Sequence, residues 1–298
     1  MTTEQGIRDD PGRFDPLDCR TLHVLHVPLF MRKSRSIVAL LTDFGLRDHY
    51  VGTMKAVMLS IEPSLTIVDA THEVEPQNVH QASYLLWASY RYFPDNALFV
   101  CVVDPGVGTS RRILVVKTPK WTFLAPENGL LDLVLSEEMV ELAIAVDIDR
   151  LKRDMLIPSV VSSTFHGRDI FAPLAAHIAR GRKLTSFGDP FEAAVVEPRF
   201  VTERTPHVRP SILHIDHFGN IVTNISGGSL DFLSRTIRGI GIRRKAIATW
   251  INYYNSAPSR EPCLIIGSSG LVEIAVKKGS AARMLSADLD TPLRILRK

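Results

Sequence analysis

Length, composition and charge narrow the possible functions. The chain has 298 residues, 45% of them hydrophobic, and a formal net charge of +3. That is enough apolar material for one large or two modest cores. Because the charges form no sustained basic stripe, the sequence argues against a nucleic-acid or membrane-surface partner and favours small-molecule chemistry.

Residues 1–36 carry scattered acids and bases without periodicity, which predicts a flexible or surface-packed tail. The N-terminus lacks the charged-then-apolar layout of a signal peptide, and no apolar stretch approaches a membrane span. Cys19, Cys101 and Cys263 are distant from one another, and the last two lie in apolar runs typical of buried thiols. We therefore predict a cytoplasmic protein.

Strands and helices alternate from residue 37 onward. Apolar runs or helical periodicity predict strands at 36–41, 65–68, 97–103, 112–118, 121–124 and 139–146, and helices at 50–61, 78–93, 130–135 and 169–179. This order predicts an N-terminal α/β domain over residues 37–195 with a central, mainly parallel sheet.

Short apolar runs separated by Gly, Pro and Asn follow, and they predict a smaller C-terminal β-barrel over residues 196–298. The predicted strands are 212–215, 221–225, 237–242, 263–266, 272–276 and 292–296.

Three chemically active side chains stand next to strand ends and a helix start. Asp104 follows an apolar strand on a glycine-containing turn, Arg111 comes soon after, and His166 precedes a predicted helix. A carboxylate, a guanidinium and an imidazole together can position and deprotonate a nucleophile. An ordinary ion pair and a structural histidine are the alternatives.

Asp43 ends the first strand, where α/β sheets bind their ligands. A carboxylate there suits two adjacent ribose hydroxyls. The alternative is a turn aspartate that binds its own backbone.

Two polar turns of the C-terminal half suit an amino-acid ligand. Asp216 could hold an ammonium group, and Ser268 and Ser269 with their backbone amides could hold a carboxylate. Each turn alone is more typical of an ordinary barrel loop, and the two together suggest a polar rim.

Side chains near these turns suit adenine. Asn220 could bind its edge, and Tyr254 or Phe218 its face. The histidines and cysteines form no metal-ligand spacing, so we predict neither a metal nor another cofactor.

Taken together, several motifs resemble the S-adenosyl-L-methionine (SAM) hydroxide adenosyltransferases, which are SAM hydrolases related to fluorinase and chlorinase. The resemblance covers residues 37 to 298. The segments that carry it are Thr42-Asp-Phe-Gly45, Asp104-Pro-Gly-Val-Gly-Thr109 with Arg111-Arg112, Pro126-Glu-Asn-Gly-Leu130, Thr164-Phe-His-Gly-Arg-Asp-Ile-Phe171, Asp216-His-Phe-Gly-Asn220 and Gly267-Ser-Ser-Gly270.

The resemblance implies an α/β domain, a C-terminal β-barrel, and a homotrimer that binds SAM between one subunit's N-terminal domain and its neighbour's C-terminal domain. It also implies hydrolysis of SAM to adenosine and L-methionine. The family's acid, arginine and histidine triad falls on Asp104, Arg111 and His166.

By the same resemblance, ribose binding falls on Asp43, methionine binding on Asp216 and Ser268, and adenine binding on Asn220 and Tyr254. Lys277-Lys278 stands where relatives often have Asn. That departure puts adenine contacts near those two lysines in doubt.

Two other functions remain open. A SAM-dependent halogenase would replace water with chloride or fluoride, but Asp104 would repel a halide by about 4 kcal/mol at 4 Å and a dielectric constant of 20. The other alternative is a SAM- or adenosine-binding regulatory module without turnover, which would not require all three triad side chains.

Overall fold

The computed structural model describes residues 36–192, 196–197, 199–202, 204–228 and 237–298. The tail predicted at 1–36 lies outside the described residues except for Ser36, and Cys19 lies outside them as well. The described residues belong to one compact unit. The division into domains at residues 195 and 196 stays a prediction.

Six α-helices occur in the described part of the chain: α1 (Tyr50–Ile61), α2 (Val79–Ser89), α3 (Asp132–Leu135), α4 (Ile148–Arg153), α5 (Ala172–Ala179) and α6 (Ala281–Leu285). The strands there are β1 (Ile37–Thr42), β2 (Thr66–Thr71), β3 (Leu98–Val102), β4 (Ile113–Lys117), β5 (Thr122–Pro126), β6 (Leu142–Val146), β7 (Gly188–Pro190), β8 (Ile212–Ile215), β9 (Ile221–Ser226), β10 (Ile237–Ile242), β11 (Lys245–Ile247), β12 (Pro262–Ile266), β13 (Leu271–Val276) and β14 (Leu293–Arg297).

The N-terminal half contains a seven-stranded sheet with the order β2-β1-β3-β5-β4-β6-β7. The β1–β2, β1–β3 and β3–β5 pairs are parallel. The β4–β5, β4–β6 and β6–β7 pairs are antiparallel. The α/β class is confirmed, and the sheet is mixed. Only residues 118–121 join β4 to β5, and so short a connection closes a hairpin and cannot make a parallel crossover.

Alternate residues of the central strands supply two cores. In β3, Leu98 and Val100 join a core with α1 and α5, whereas Phe99 and Cys101 join a core with α2 on the other face. Burial raises the pKa of the Cys101 thiol. Cys101 and Cys263 are both fully buried, which confirms the prediction for these two thiols.

The smaller C-terminal part is built from β-strands, as predicted. Its strands form a four-stranded sheet, β12-β13-β9-β8, and a three-stranded sheet, β11-β10-β14, with antiparallel pairing throughout. Residues of both sheets, including Ile240 and Leu264, share one apolar core. Strand β8 also packs on α2, where the His214 ring stacks on Tyr84 with centroids 5.1 Å apart.

The pattern missed two short helices. Both begin with a side-chain cap, because Asp147 accepts a hydrogen bond from the Arg150 amide at α4 and Ser280 accepts one from the Arg283 amide at α6. Helices this short do not complete enough turns to produce a clear apolar period. Among the described helices, none has the length and apolar character needed to cross a membrane.

Candidate active site

The candidate site begins where two neighbouring parallel strands end. Thr42 of β1 pairs with Val102 of β3, so the residues that follow them meet at one edge of the sheet. Asp43 and Asp104 both line a cleft of about 480 Å³ at this edge, and His166 lines it too.

Asp104 and Arg111 form a tight ion pair. Arg111 Nε donates to Asp104 Oδ1 over 2.7 Å and to Oδ2 over 2.8 Å, and Arg111 Nη2 also donates to Oδ2. The Asp104 side chain is 5% exposed and that of Arg111 is 11% exposed. Several charge-assisted bonds therefore fix the carboxylate, and the guanidinium offsets much of its charge.

The turn between these two residues packs closely on the loop that precedes His166. Gly108 has a φ of +79°, and a Cβ atom there would lie 2.5 Å from the Ser163 carbonyl oxygen. The position requires glycine for both its backbone angle and its contact. The Asp104 turn and the His166 loop are thereby held together.

A second contact fixes the strand end before Asp104. The Asn128 side-chain amide donates to the Val103 carbonyl oxygen over 2.9 Å, and the Leu130 amide donates to Asn128 Oδ1 over 3.2 Å. Asn128 therefore ties the turn after β5 to the residue next to Asp104.

His166 contacts the other side of the guanidinium. Arg111 Nη2 lies 3.0 Å from His166 Nδ1. Since arginine only donates, Nδ1 must accept, and we infer that the proton of the neutral ring is on Nε2. Burial, followed by the charge of Arg111, lowers the pKa of His166. Among the described residues, none hydrogen-bonds to Nε2, so this N–H is available to a ligand.

The segment after His166 is a π-helical turn, Gly167–Phe171, that leads into α5. The Ala172 amide donates to the Gly167 carbonyl oxygen five residues back, and Pro173 brings no amide hydrogen to the next position. Gly167 is tightly packed, since a Cβ there would meet Met54 Sδ at 3.1 Å. These constraints set the direction of the His166 side chain.

Asp169 accepts three hydrogen bonds beside the cleft. Its carboxylate accepts from Arg168 Nε over 2.6 Å and Nη2 over 2.9 Å, and from the Ser162 amide over 2.8 Å. Arg168 also lies over the Phe165 ring, 5.3 Å from its centroid. The pair joins the two ends of the loop beside the cleft.

Asp43 is held by a different loop. Its Oδ2 accepts from the Gln77 amide over 2.8 Å. Burial raises the pKa of Asp43, and the charge of Asp104 adds to the increase, as expected for two carboxylates facing one cleft. The second carboxylate oxygen can accept hydrogen bonds from a ligand.

Aromatic rings that the sequence pattern did not single out complete one wall. Phe44, Tyr50 and Phe165 line the cleft. The Tyr50 and Phe165 rings meet edge to face with centroids 5.0 Å apart. An apolar wall opposite charged groups can exclude water from a bound organic ligand.

The six C-terminal candidates do not line this cleft within one chain. The Asp216 carboxylate is hydrogen-bonded within its own turn. It accepts from the Asn220 backbone amide over 2.8 Å and from Asn220 Nδ2 over 2.9 Å. Phe218 is 73% exposed, and the Tyr254 hydroxyl donates to Glu273 Oε2 over 2.8 Å.

Ser268 and Ser269 line a separate cavity of about 200 Å³. Its other walls come from α2 and the turn after it, including Trp87 and Arg91. The structure thus brings Asp43 and the triad together and places the serine turn against another surface of the same chain.

Glu273 is a polar residue that the sequence reasoning missed. It is 7% exposed, and burial raises its pKa, with a further contribution from the charge of Asp216. Its carboxylate occupies the space that any side chain at position 267 would need, so the close contact depends on Gly267. The sequence signal for this residue was a glutamate within the otherwise apolar segment that forms β13.

Comparison with protein families identifies the class. Residues 38–188 match the SAM hydroxide adenosyltransferase N-terminal domain, and residues 210–294 match the SAM hydroxide adenosyltransferase C-terminal domain. The chain belongs to the SAM hydroxide adenosyltransferase family.

Named relatives agree with this assignment. The chain is 34% identical to the (R)-S-adenosyl-L-methionine hydrolase of Thermus thermophilus, over 87% of this chain and 99% of the relative. It is 28% identical to the fluorinase of Actinopolyspora mzabensis, over 66% of this chain and 74% of the relative. A solved structure of an uncharacterized conserved protein from Thermotoga maritima has a TM-score of 0.75 and 38% identity, over 87% of this chain and all of that one.

Proposed function

We propose that this protein hydrolyses SAM to adenosine and L-methionine through attack of a water molecule on the C5′ carbon. The observation that carries the proposal is the single cleft in which Asp43, Asp104 and His166 meet, with Arg111 bonded to the last two. Similarity to (R)-S-adenosyl-L-methionine hydrolases over 87% of this chain supports it.

Asp104 is the proton acceptor in this mechanism. His166 Nδ1 is occupied by Arg111 and its Nε2 carries the proton, so the neutral imidazole has no free lone pair. The Nε2–H donates to the water oxygen, and the water donates to an Asp104 oxygen. One water lone pair then remains for C5′.

Orientation supplies much of the expected rate enhancement. The sulfonium leaves as a neutral thioether, so no general acid is required. The nucleophile is weak, and holding it in line about 3 Å from C5′ in a largely dehydrated cleft lowers the barrier. Asp43 fixes the ribose through its hydroxyl groups and so places C5′ against the water.

A homotrimer completes the substrate site in our proposal. Asp216, Ser268 and Ser269 of a neighbouring subunit bind the methionine part, and Phe218, Asn220 and Tyr254 of that neighbour bind adenine. In support, none of these six side chains lines the Asp104 cleft of its own chain. We also propose that the protein acts in the cytoplasm, without a metal ion or another cofactor.

Halide transfer is the alternative within the same family of reactions. Arg111 offsets the Asp104 charge, so the repulsion of a halide is smaller than for an isolated carboxylate. The two reactions differ instead in whether the nucleophile must lose a proton. The buried Asp104 carboxylate can accept a proton from water, whereas chloride and fluoride have no proton to lose and gain nothing from it.

A chromatographic assay tests the proposed function. Purified protein is incubated with SAM, with and without EDTA and with added chloride or fluoride. Equal amounts of adenosine and methionine under all conditions support hydrolysis without a metal. Halogenated nucleosides would indicate a halogenase, and tight SAM binding without product would indicate a regulatory module.

A further inference from the structure

Two buried polar residues lie side by side behind Asp43. Leu41 pairs with Thr71 across the β1–β2 ladder, so Thr42 and His72 are the next residues on each chain segment. Thr42 is fully buried and His72 is 3% exposed. Thr42 Oγ1 and His72 Nδ1 are 2.8 Å apart, which makes a hydrogen bond inside the fold.

The same two residues hold the turn that carries Asp43. The Phe44 amide donates to Thr42 Oγ1 over 3.2 Å, and the Gly45 amide donates to the His72 carbonyl oxygen over 2.8 Å. The two backbone amides that follow Asp43 are therefore both bonded to the Thr42–His72 pair. Its own side chain accepts a hydrogen bond from the Gln77 amide.

Charged groups of β2 and α1 lie next to the pair. His72 Nε2 lies 3.0 Å from Asp69 Oδ1, and Lys55 Nζ donates to Asp69 Oδ2 over 2.7 Å. Burial raises the pKa of Asp69, but Lys55 and His72 outweigh it and lower that pKa overall. Asp69 and Lys55 thus place opposite charges next to the buried His72 ring.

We propose that the Thr42–His72 pair is a positioning device that aims the Asp43 carboxylate at the ribose hydroxyls and so makes the site selective for ribonucleosides over deoxyribonucleosides. The inference rests on the proposed function, because it takes adenosine as the ligand. A merely structural role would contribute to stability and would leave the discrimination between sugars unchanged.

The test measures binding of adenosine, 2′-deoxyadenosine and 3′-deoxyadenosine by calorimetry. A hydrogen bond to a carboxylate makes the wild-type protein bind adenosine about tenfold to about a hundredfold more tightly than at least one deoxynucleoside. Thr42→Val keeps the shape and removes the hydroxyl, so that ratio should fall to within about threefold. Thr42→Ser is the matched control and should retain the wild-type ratio.

His72→Phe tests the other half of the pair and should reduce the ratio as Thr42→Val does. The double variant should be no worse than either single variant, because both remove one interaction. If adenosine and both deoxynucleosides weaken equally in each variant, or if the ratio stays at its wild-type value, the inference is wrong. A wild-type protein that binds no adenosine overturns the proposed function and the inference with it, whereas binding without sugar discrimination overturns the inference alone.

Discussion

Arg111 donates a hydrogen bond to His166 Nδ1 over 3.0 Å while it also holds both oxygens of Asp104. One guanidinium therefore sets the direction of the carboxylate and the protonation pattern of the imidazole. In the proposed mechanism these two groups hold opposite sides of the same water molecule.

Replacement of Arg111 by lysine should disable this arrangement. A lysine ammonium cannot reproduce the planar fork that reaches Asp104 and His166 together. We expect kcat to fall by about a hundredfold with little change in KM. Arg112→Lys is the control, because Arg112 pairs with Glu127 and its side chain is 51% exposed. Steady-state kinetics of both variants tests this, and equal losses in the two would contradict the assignment.

The pH dependence should follow His166. Burial and Arg111 place its pKa below the ordinary 6.5, so the ring stays neutral down to that pH. We expect kcat/KM to be level above pH 6.5 and to fall at lower pH, where protonation breaks the bond from Arg111. Asp43, whose pKa is raised from 3.8, also contributes to the acid limb.

His166→Gln separates the two contributions, because it should remove the His166 part of the acid limb and leave the Asp43 part. The same shift affects folding. A folded-state pKa below the unfolded value means that the unfolded chain takes up protons first, so the stability contribution is present above pH 6.5 and decreases as the pH falls through the titration range. An acid limb that is identical in His166→Gln would contradict the assignment.

Gly108→Ala should damage both stability and activity. The added Cβ meets the Ser163 carbonyl oxygen, and the positive φ adds strain, for a combined cost of about 1–3 kcal/mol. Because the contact joins the Asp104 turn to the His166 loop, kcat should fall as well. Gly181→Ala is the control, since Gly181 has a φ of +89° but no atom within 4 Å of the added Cβ. Denaturant unfolding and kcat measurements should show a loss of activity only for Gly108→Ala.

The proposed trimer predicts complementation between inactive subunits. Asp104→Asn damages the cleft of its own chain, whereas Asp216→Asn damages the part supplied to a neighbour. After the two variants are unfolded together and refolded, roughly one site in four should contain neither substitution and regain activity. Mass spectrometry of intact assemblies checks the mixing. Mixed trimers without recovered activity would show that each chain builds its own site.

The sequence was enough to predict that Asp43 and Asp104 meet at one edge of the sheet. Asp43 and Asp104 follow apolar runs, and parallel strands bring such ends together whatever the side chains between them. The short connection after β4 predicts its antiparallel pairing with β5, but the pairing of β4 with β6 was not predictable in the same way. A strand buried on both faces is apolar throughout, so the sequences of β4 and β6 do not show in which direction each strand runs in the sheet.

The polar network behind the cleft also escaped prediction. Thr42 ends β1, Asp69 lies in β2 and His72 follows β2. Their contacts depend on a register shift in the β1–β2 pairing. Glu273 could have been noticed, because an acid within β13 must find a partner when buried. That its partner is Tyr254 follows only from the folded chain.

Isotope labelling tests the central claim most directly. SAM is incubated with the protein in ¹⁸O-labelled water, and the nucleoside is analysed by mass spectrometry, with Asp104→Asn as the control. The account predicts adenosine with one ¹⁸O atom at its 5′ position, formed by the wild-type protein and strongly reduced in the variant. Adenosine without the label, or equal labelled product from Asp104→Asn, would contradict attack by a water molecule that Asp104 activates.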